Sequence, residues 1–293
     1  MTGSAAAGVV SALATPPAIL GAIAYAGEPG AFAEDAALAV FGEQPRLGVG
    51  GFREVFDAVA SGRAGAGVVP IENLVNGSVR ENYDLLLEHE LVIVAEVIVP
   101  VRLCLAALPG QRIDAIERVY SHIQALGQAE AFLRGRPWTL LTTYNTAGAG
   151  KLIVDRAEER AAALLSPRAA ALFGLEVLAE DVQDVADNRT RFLVIAVDDL
   201  AVPAAGGQRR TTLAFGVRNE PGSLLRALRV FAEREVNLSR LESRPSRARA
   251  WEYIFWTDAD GGADDANVAA ALTDLAEVTT MVRVLGSYPR AAG

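Results

Sequence analysis

Apolar positions along the first half of the chain switch repeatedly between two spacings. Short β-rich runs at Ile19–Tyr25, Ala66–Val69, Val119–Tyr120 and Thr139–Thr142 each give way to a small polar turn. Each turn is followed by apolar residues three and four apart, the helical spacing. The turns are Gly27-Glu28-Pro29-Gly30, the segment from Ile71-Glu72-Asn73 to Gly77-Ser78, Ser121-His122-Ile123-Gln124, and Asn145-Thr146. The pattern predicts four strand–turn–helix units. A helix start offers unpaired backbone N–H groups and the positive end of a dipole. Several starts gathered at one edge of a parallel sheet suit an anion.

Filling in the pattern gives helices at Phe32–Phe41, Phe52–Ser61 and Val79–Glu88, with strands at Arg46–Val49 and Ala66–Pro70. Phe52, Val55, Phe56 and Val59 share one helix face. The run Leu91–Leu108 is too long for one strand, and Pro100 splits it into two that cross between lobes. A second set follows: strand Val119–Tyr120, a helix to Leu133, strand Trp138–Thr142, helix Thr146–Glu159, strand Ala161–Leu165, helix Pro167–Phe173 and a strand ending at Ala196. Residues 18–198 thus read as a two-lobed α/β domain with a small-molecule cleft between the lobes. Residues 199–210, rich in Pro, Ala, Gly and Arg, read as a linker. Residues 211–288 read βαββαβ: Thr212–Val217, Pro221–Glu233, Val236–Leu241, Trp251–Asp258, Asp264–Leu275 and Val278–Leu285. That is a ferredoxin-like pattern, whose open sheet edges suit pairing between copies of the chain. Residues 1–17 lack the basic start of a signal peptide and are expected to be a disordered extension.

Composition narrows the function. The chain has 293 residues, 51% of them hydrophobic, enough for two globular domains. Its net charge of −9 speaks against nucleic acid or an anionic membrane as partner. No apolar run of ~18 residues is present to span a bilayer. Cys104 is the only cysteine and lies in an apolar run, so a buried thiol and a reducing, cytoplasmic setting are expected. His89 and His122 are the only histidines, which excludes a multi-histidine metal site, and Lys151 is the only lysine. No metal is expected.

The candidate chemistry sits at the turns and at one further motif. Asn188-Arg189-Thr190-Arg191-Phe192 places a hydroxyl between two guanidiniums at the entrance of a strand, which suits a donor aimed at an anion's oxygen. A plain turn with solvated arginines explains the same residues on composition alone. Glu72 and Asn73 come directly off a buried strand, where polar groups need partners. Ser78 reads as a helix N-cap, with Glu81 three residues on as in a capping box. Ser121 is a second expected N-cap, and His122 is either a general acid or a first-turn residue. Gln124 and Gln128 are four apart and share a helix face, suited to recognising oxygens. Candidate substrate contacts are Gly30, Ala31 and Phe32 at the first turn, Ser78 at the second, and His122 and Gln124 at the third. Asn145, Thr146 and Ala147 at the fourth turn join them, with Arg191 and Phe192 beside Thr190.

YAGEPGAFAEDAA, VVPIENLVNGSV, VYSHIQALGQAEAFL, YNTAGAGKLI and LAEDVQDVADNRTRFLVIA occur in this order at ordinary spacings. Together they resemble prephenate dehydratase. The tail TTLAFGVRNEPGSLLRALRVFAEREVNLSRLESRP resembles the ACT regulatory domain fused to that enzyme. The resemblance implies a catalytic domain of two lobes, like a periplasmic binding protein, with the site between them. It implies loss of CO2 and water from prephenate to give phenylpyruvate, without cofactor, on the way to phenylalanine. It makes Thr190, Asn73, Ser121 and Gln128 catalytic, with Glu72 and Arg191 beside them. It also implies phenylalanine as effector, bound between paired ACT domains at Asn219, Pro221, Gly222, Ser223 and Leu224 and at Glu242, Ser243, Arg244 and Pro245, in a homodimer or homotetramer. Three positions depart from the family pattern: Ile123 for proline, Leu74 for serine and Ala31 for threonine. The first turn and the segment Cys104–Gly110 look closer to plant arogenate dehydratases, so arogenate is the alternative substrate. Readings of other kinds are a non-catalytic two-lobed amino-acid sensor and a simple decarboxylase.

Overall fold

The computed structural model describes residues 21–198, 207–245 and 253–291. The expected extension, Ile19, the linker's residues 199–206 and Trp251 lie outside them. The chain divides into two compact units, one of residues 21–89 and 97–194, the other of residues 90–96 with those from 195 onward.

In the first unit, β1 (Ala22–Ala26), α1 (Phe32–Phe41), β2 (Arg46–Val49), α2 (Phe52–Ala60), β3 (Ala64–Asn73), β4 (Gly77–Ser78), α3 (Arg80–Glu88) and the last residues of β5 (Val92–Pro100), whose residues 92–96 fall in the second unit, form one lobe. The second lobe holds β6 (Cys104–Ala107), β7 (Arg118–Ser121), α4 (Ile123–Gln128), α5 (Glu130–Leu133), β8 (Thr139–Thr142), α6 (Thr146–Arg156), β9 (Ala161–Leu165), α7 (Pro167–Leu172) and β10 (Glu176–Ala179). The chain then returns through β11 (Arg189–Ala196) to the first sheet, whose order is β2-β1-β3-β11-β5 with β4 paired to β3. The second sheet runs β10-β6-β9-β7-β8. Its side chains alternate between two cores: Cys104, Ala106, Ala163 and Leu165 on one face, Leu105, Ala107, Ala162 and Leu164 on the other. Burial on both faces explains why these strands read as unbroken apolar runs. Burial also pushes the Cys104 thiol up to about 12, which makes it a packing group.

Several features differ from the sequence expectation, among them β3, which runs past Pro70 to Asn73. The helix expected to reach Leu133 breaks at Ala129, because the carbonyl of Gln128 accepts from Asp184 N–H at 2.7 Å. Strand β10 was not expected, having four residues and no alternation to mark it. Helix α6 stops at Arg156, where Ala157 turns left-handed with φ 47°.

The second unit contains β12 (Arg209–Val217), α8 (Ser223–Glu233), β13 (Leu238–Pro245), β14 (Tyr253–Asp260), α9 (Ala266–Val278) and β15 (Met281–Pro289). The strand order β13-β14-β12-β15 is antiparallel throughout, the expected ferredoxin-like sheet. Leu213, Phe215, Phe231, Phe255 and Leu275 fill its core. Helix α8 begins after Gly222, whose φ of +81° suits glycine, so Pro221 precedes the cap and does not open the helix. Within this unit Arg210 Nη1 donates to both oxygens of Glu96 at 2.8 and 2.7 Å, and both side chains are buried. Ala291 N–H adds a bond to the same carboxylate at 2.9 Å.

Candidate active site

Asn73 closes β3. Its Oδ1 accepts from the N–H groups of Val75 and Asn76 at 3.1 and 2.9 Å, turning the chain into β4. That use of the oxygen leaves Nδ2 facing the start of β11. There it donates to Asn188 Oδ1 and Thr190 Oγ1, each at 2.9 Å, and to Arg189 O at 3.2 Å. Thr190 Oγ1 is therefore an acceptor from Asn73, and its own O–H hydrogen is directed elsewhere. Thr190 and Asn73 are both buried, yet both line a cavity of about 670 Å³.

The cavity brings together most of the expected residues. From the first lobe come Gly30, Ala31, Phe32, Asn73, Ser78, Thr190 and Phe192; from the second come His122, Gln124, Gln128, Asn145, Thr146 and Ala147. Asn145 caps α6, with Oδ1 accepting from Gly148 N–H. Three expected residues are not on its wall. Ser121 is fully buried and its Oγ donates to Leu164 O at 2.6 Å, so it holds β7 to β9. The cap of α4 is instead His122, whose Nδ1 accepts from Gln124 N–H at 3.3 Å. Arg191 falls between Thr190 and Phe192 on β11, and the two-residue period of a strand turns it to the other face. Glu72 is absent from the wall and sits opposite Ser78 in the β3–β4 pairing. That pairing takes Ser78 into β4, and the cap position of α3 falls on Val79, which offers no side-chain bond, and not on Ser78 as expected.

Arg80 was missed by the sequence reading, because an arginine in a first helical turn looks like ordinary surface. It is the only arginine or lysine among the described residues on the cavity wall, where Glu81 is the only carboxylate. Burial lowers the pKa of His122, and the bond accepted by Nδ1 leaves the ring proton on Nε2. Tyr144 and Ser166 also line the wall.

The first turn ties the lobes together. Glu28 accepts from Tyr144 OH at 2.9 Å and from Lys151 Nζ at 3.2 Å. Ser166 Oγ donates to Gly30 O at 3.2 Å and accepts from Ala169 N–H at 3.1 Å. Arg168 bonds both Glu34 and Asp35. Burial alone would raise Glu34, but Gly30 N–H, Arg168 and Arg46 outweigh it and hold its carboxyl low; at Asp35 burial outweighs Arg168 and the pKa rises. An adjoining cavity of about 800 Å³ shares Gly27, Gly50, Tyr144 and Asn145 but contains neither Asn73 nor Thr190.

The expected effector residues divide between the start of α8 and β13, which is an edge of its sheet. Ser223 is buried and its Oγ accepts from Arg226 Nη2 at 2.9 Å. Among the described residues no group of three His, Cys, Asp or Glu side chains is placed to hold a metal ion, and no helix is long and apolar enough to cross a membrane.

Comparison with known proteins shows the family of the chain. The family model for prephenate dehydratase matches residues 23–199, and that for the ACT domain matches residues 211–277. A bifunctional chorismate mutase/prephenate dehydratase of Aquifex aeolicus is 39% identical over 272 residues, covering 92% of this chain and 74% of the relative. Arogenate dehydratase/prephenate dehydratase 2 of Arabidopsis thaliana, a chloroplastic protein, is also 39% identical, over 91% of this chain and 72% of its own. Among solved structures, prephenate dehydratase from Arthrobacter aurescens in complex with L-Phe has a TM-score of 0.84 at 34% identity, covering 92% of this chain and 90% of that one. GqqA, described as a quorum-quenching acylase, has a TM-score of 0.83 at 31% identity, covering 92% and 97%.

Proposed function

Because the chain belongs to the prephenate dehydratase family and carries an ACT domain, we propose that it converts prephenate to phenylpyruvate under control by phenylalanine. The observation that carries this reading is the Asn73–Thr190 pair. An amide that donates to Thr190 Oγ1 leaves the hydroxyl proton to be donated into a cavity walled by both lobes. The substrate is a dianion that becomes aromatic on reaction. The bond from the ring to its carboxylate breaks, CO2 leaves, and the electron pair enters the ring. The C–O bond to the 4-hydroxyl breaks in turn, and that oxygen departs as hydroxide, which solvent neutralises. Phenylpyruvate retains the remaining negative charge. Thr190 O–H donates to the departing oxygen, a preorganised electrostatic stabilisation. His122 lines the cavity and carries its proton on Nε2, so it supplies a second, neutral donor, whereas Glu72 is off the wall. Arg80 and the start of α6 at Thr146 face the substrate's carboxylates. The reaction uses no cofactor in this reading.

Phenylalanine is the effector, held by the turn Asn219–Leu224 and by Glu242–Pro245 in a cytoplasmic homodimer or homotetramer paired through sheet edges. Arogenate is the second reading, favoured by the names of the plant relatives. An acylase reading finds no nucleophile in Ser121 or Ser166, whose protons are committed to backbone carbonyls. The test is incubation with prephenate and, separately, arogenate, following phenylpyruvate and phenylalanine with and without added phenylalanine. Aromatic product from prephenate at the higher kcat/KM supports the first reading, and a preference for arogenate supports the second. No aromatic product from either leaves a sensor or a decarboxylase.

A further inference from the structure

We propose that Asn188 is a positioning residue for Thr190: its side-chain oxygen holds the Asn73 amide in the one orientation that makes the threonine a donor. The proposal rests on the dehydratase reading above. Asn188 immediately precedes β11 and is 1% exposed. Its backbone carbonyl accepts from Val101 N–H at 2.8 Å, which pins the residue to the segment after β5. Its Oδ1 accepts from Asn73 Nδ2 at 2.9 Å, the same distance as from that nitrogen to Thr190 Oγ1. Asn73 Nδ2 has two hydrogens and three neighbouring acceptors. The two side-chain oxygens take the shorter bonds, and the carbonyl of Arg189, at 3.2 Å, takes the longer one.

The other end of the Asn188 amide shows why the residue is there. Its Nδ2 is buried without a hydrogen-bond partner. An unpaired buried N–H costs stability, and an apolar side chain of similar size would not carry that cost. The oxygen is therefore the useful half of the group. Without it, one hydrogen of Asn73 Nδ2 loses its acceptor, and the amide, held on its other side by the bonds to Oδ1, turns about them toward Arg189 O. Thr190 Oγ1 then loses the donor that fixes its lone pair, and its proton is no longer aimed into the cavity. Asn188 does not line the cavity, so its effect falls on turnover and not on substrate capture.

The test is steady-state kinetics of Asn188→Ala, Asn188→Leu, Thr190→Val and the double variant Asn188→Ala/Thr190→Val, with circular dichroism on each. Asn188→Leu fills the volume of the asparagine should the alanine variant fail to fold. The expected result is a kcat about tenfold or more lower in the Asn188 variants, the scale of a misplaced catalytic group, with KM within about threefold. The double variant turns over no more slowly than Thr190→Val, because Asn188 acts only through that hydroxyl. A folded Asn188 variant with kcat near that of the unsubstituted protein overturns the proposal. So do losses that multiply in the double variant. An unsubstituted protein inactive on both prephenate and arogenate overturns the dehydratase reading, and this proposal with it.

Discussion

Replacing Thr190 by valine removes one hydroxyl from the cavity wall and leaves its shape almost unchanged. On the mechanism above, kcat falls by about 10²-fold or more while the fold persists, which single-turnover and steady-state assays measure directly. Ser121→Ala removes a hydroxyl of similar appearance in the sequence and does the opposite. It deletes the bond to Leu164 O and costs about 1–3 kcal/mol of stability, read by denaturant unfolding, while kcat/KM per folded molecule stays close to normal. The motifs around both residues were visible in the sequence, but the direction of each side chain was not. Ser121 points back into its own sheet because β9 lies beside β7. Asn188 meets Asn73 across 115 residues, a distance at which no local pattern operates. Arg191 was read together with Thr190 because they are neighbours in sequence, and the pleat of β11 separates them.

Among the elements, the first turn carries the sharpest constraint. Gly30 has φ +90°, and a Cβ there would come within 2.7 Å of Ala169 Cβ and 2.8 Å of Ala169 Cα on α7. Gly30→Ala therefore pays for a left-handed alanine and for overpacking against the opposite lobe, about 2–4 kcal/mol together. A lowered urea midpoint with unchanged slope checks it. Strands and helices with strong periodicity were legible nearly to their ends: α1 spans Phe32–Phe41 and β2 spans Arg46–Val49, as the spacing predicts. Failures came where a tertiary partner outbid a local rule. Pairing with Glu72 drew Ser78 out of its expected cap, and Asp184 broke the helix after Gln128. The cavity's neutral amides and hydroxyls were anticipated at the turns, whereas Arg80 carried no signal beyond its charge.

For the molecule as a whole, the second unit takes in residues 90–96 from the middle of the chain, and the Glu96–Arg210 pair is buried inside it. Arg210→Met removes the guanidinium that donates to both oxygens of the buried Glu96 carboxylate, which costs about 3–5 kcal/mol. Adding Glu96→Leu recovers most of that loss, since well-packed apolar residues in place of a buried pair are often neutral. Melting temperatures of the single and double variants test both statements. The sequence reads residues 90–96 as part of the first domain, as does the family model matching residues 23–199, whereas by contacts they group with the second unit; nothing local in the sequence marks that grouping.

The ion pair between Lys151 and Glu28 has a practical side. Lysine occurs once in this chain. Acylating reagents, isotope-coded tags and fluorophores that seek primary amines thus find one side chain, in addition to the terminal amine. That side chain sits on the seam between the two lobes, so a dye coupled there reports on the seam without any engineered cysteine.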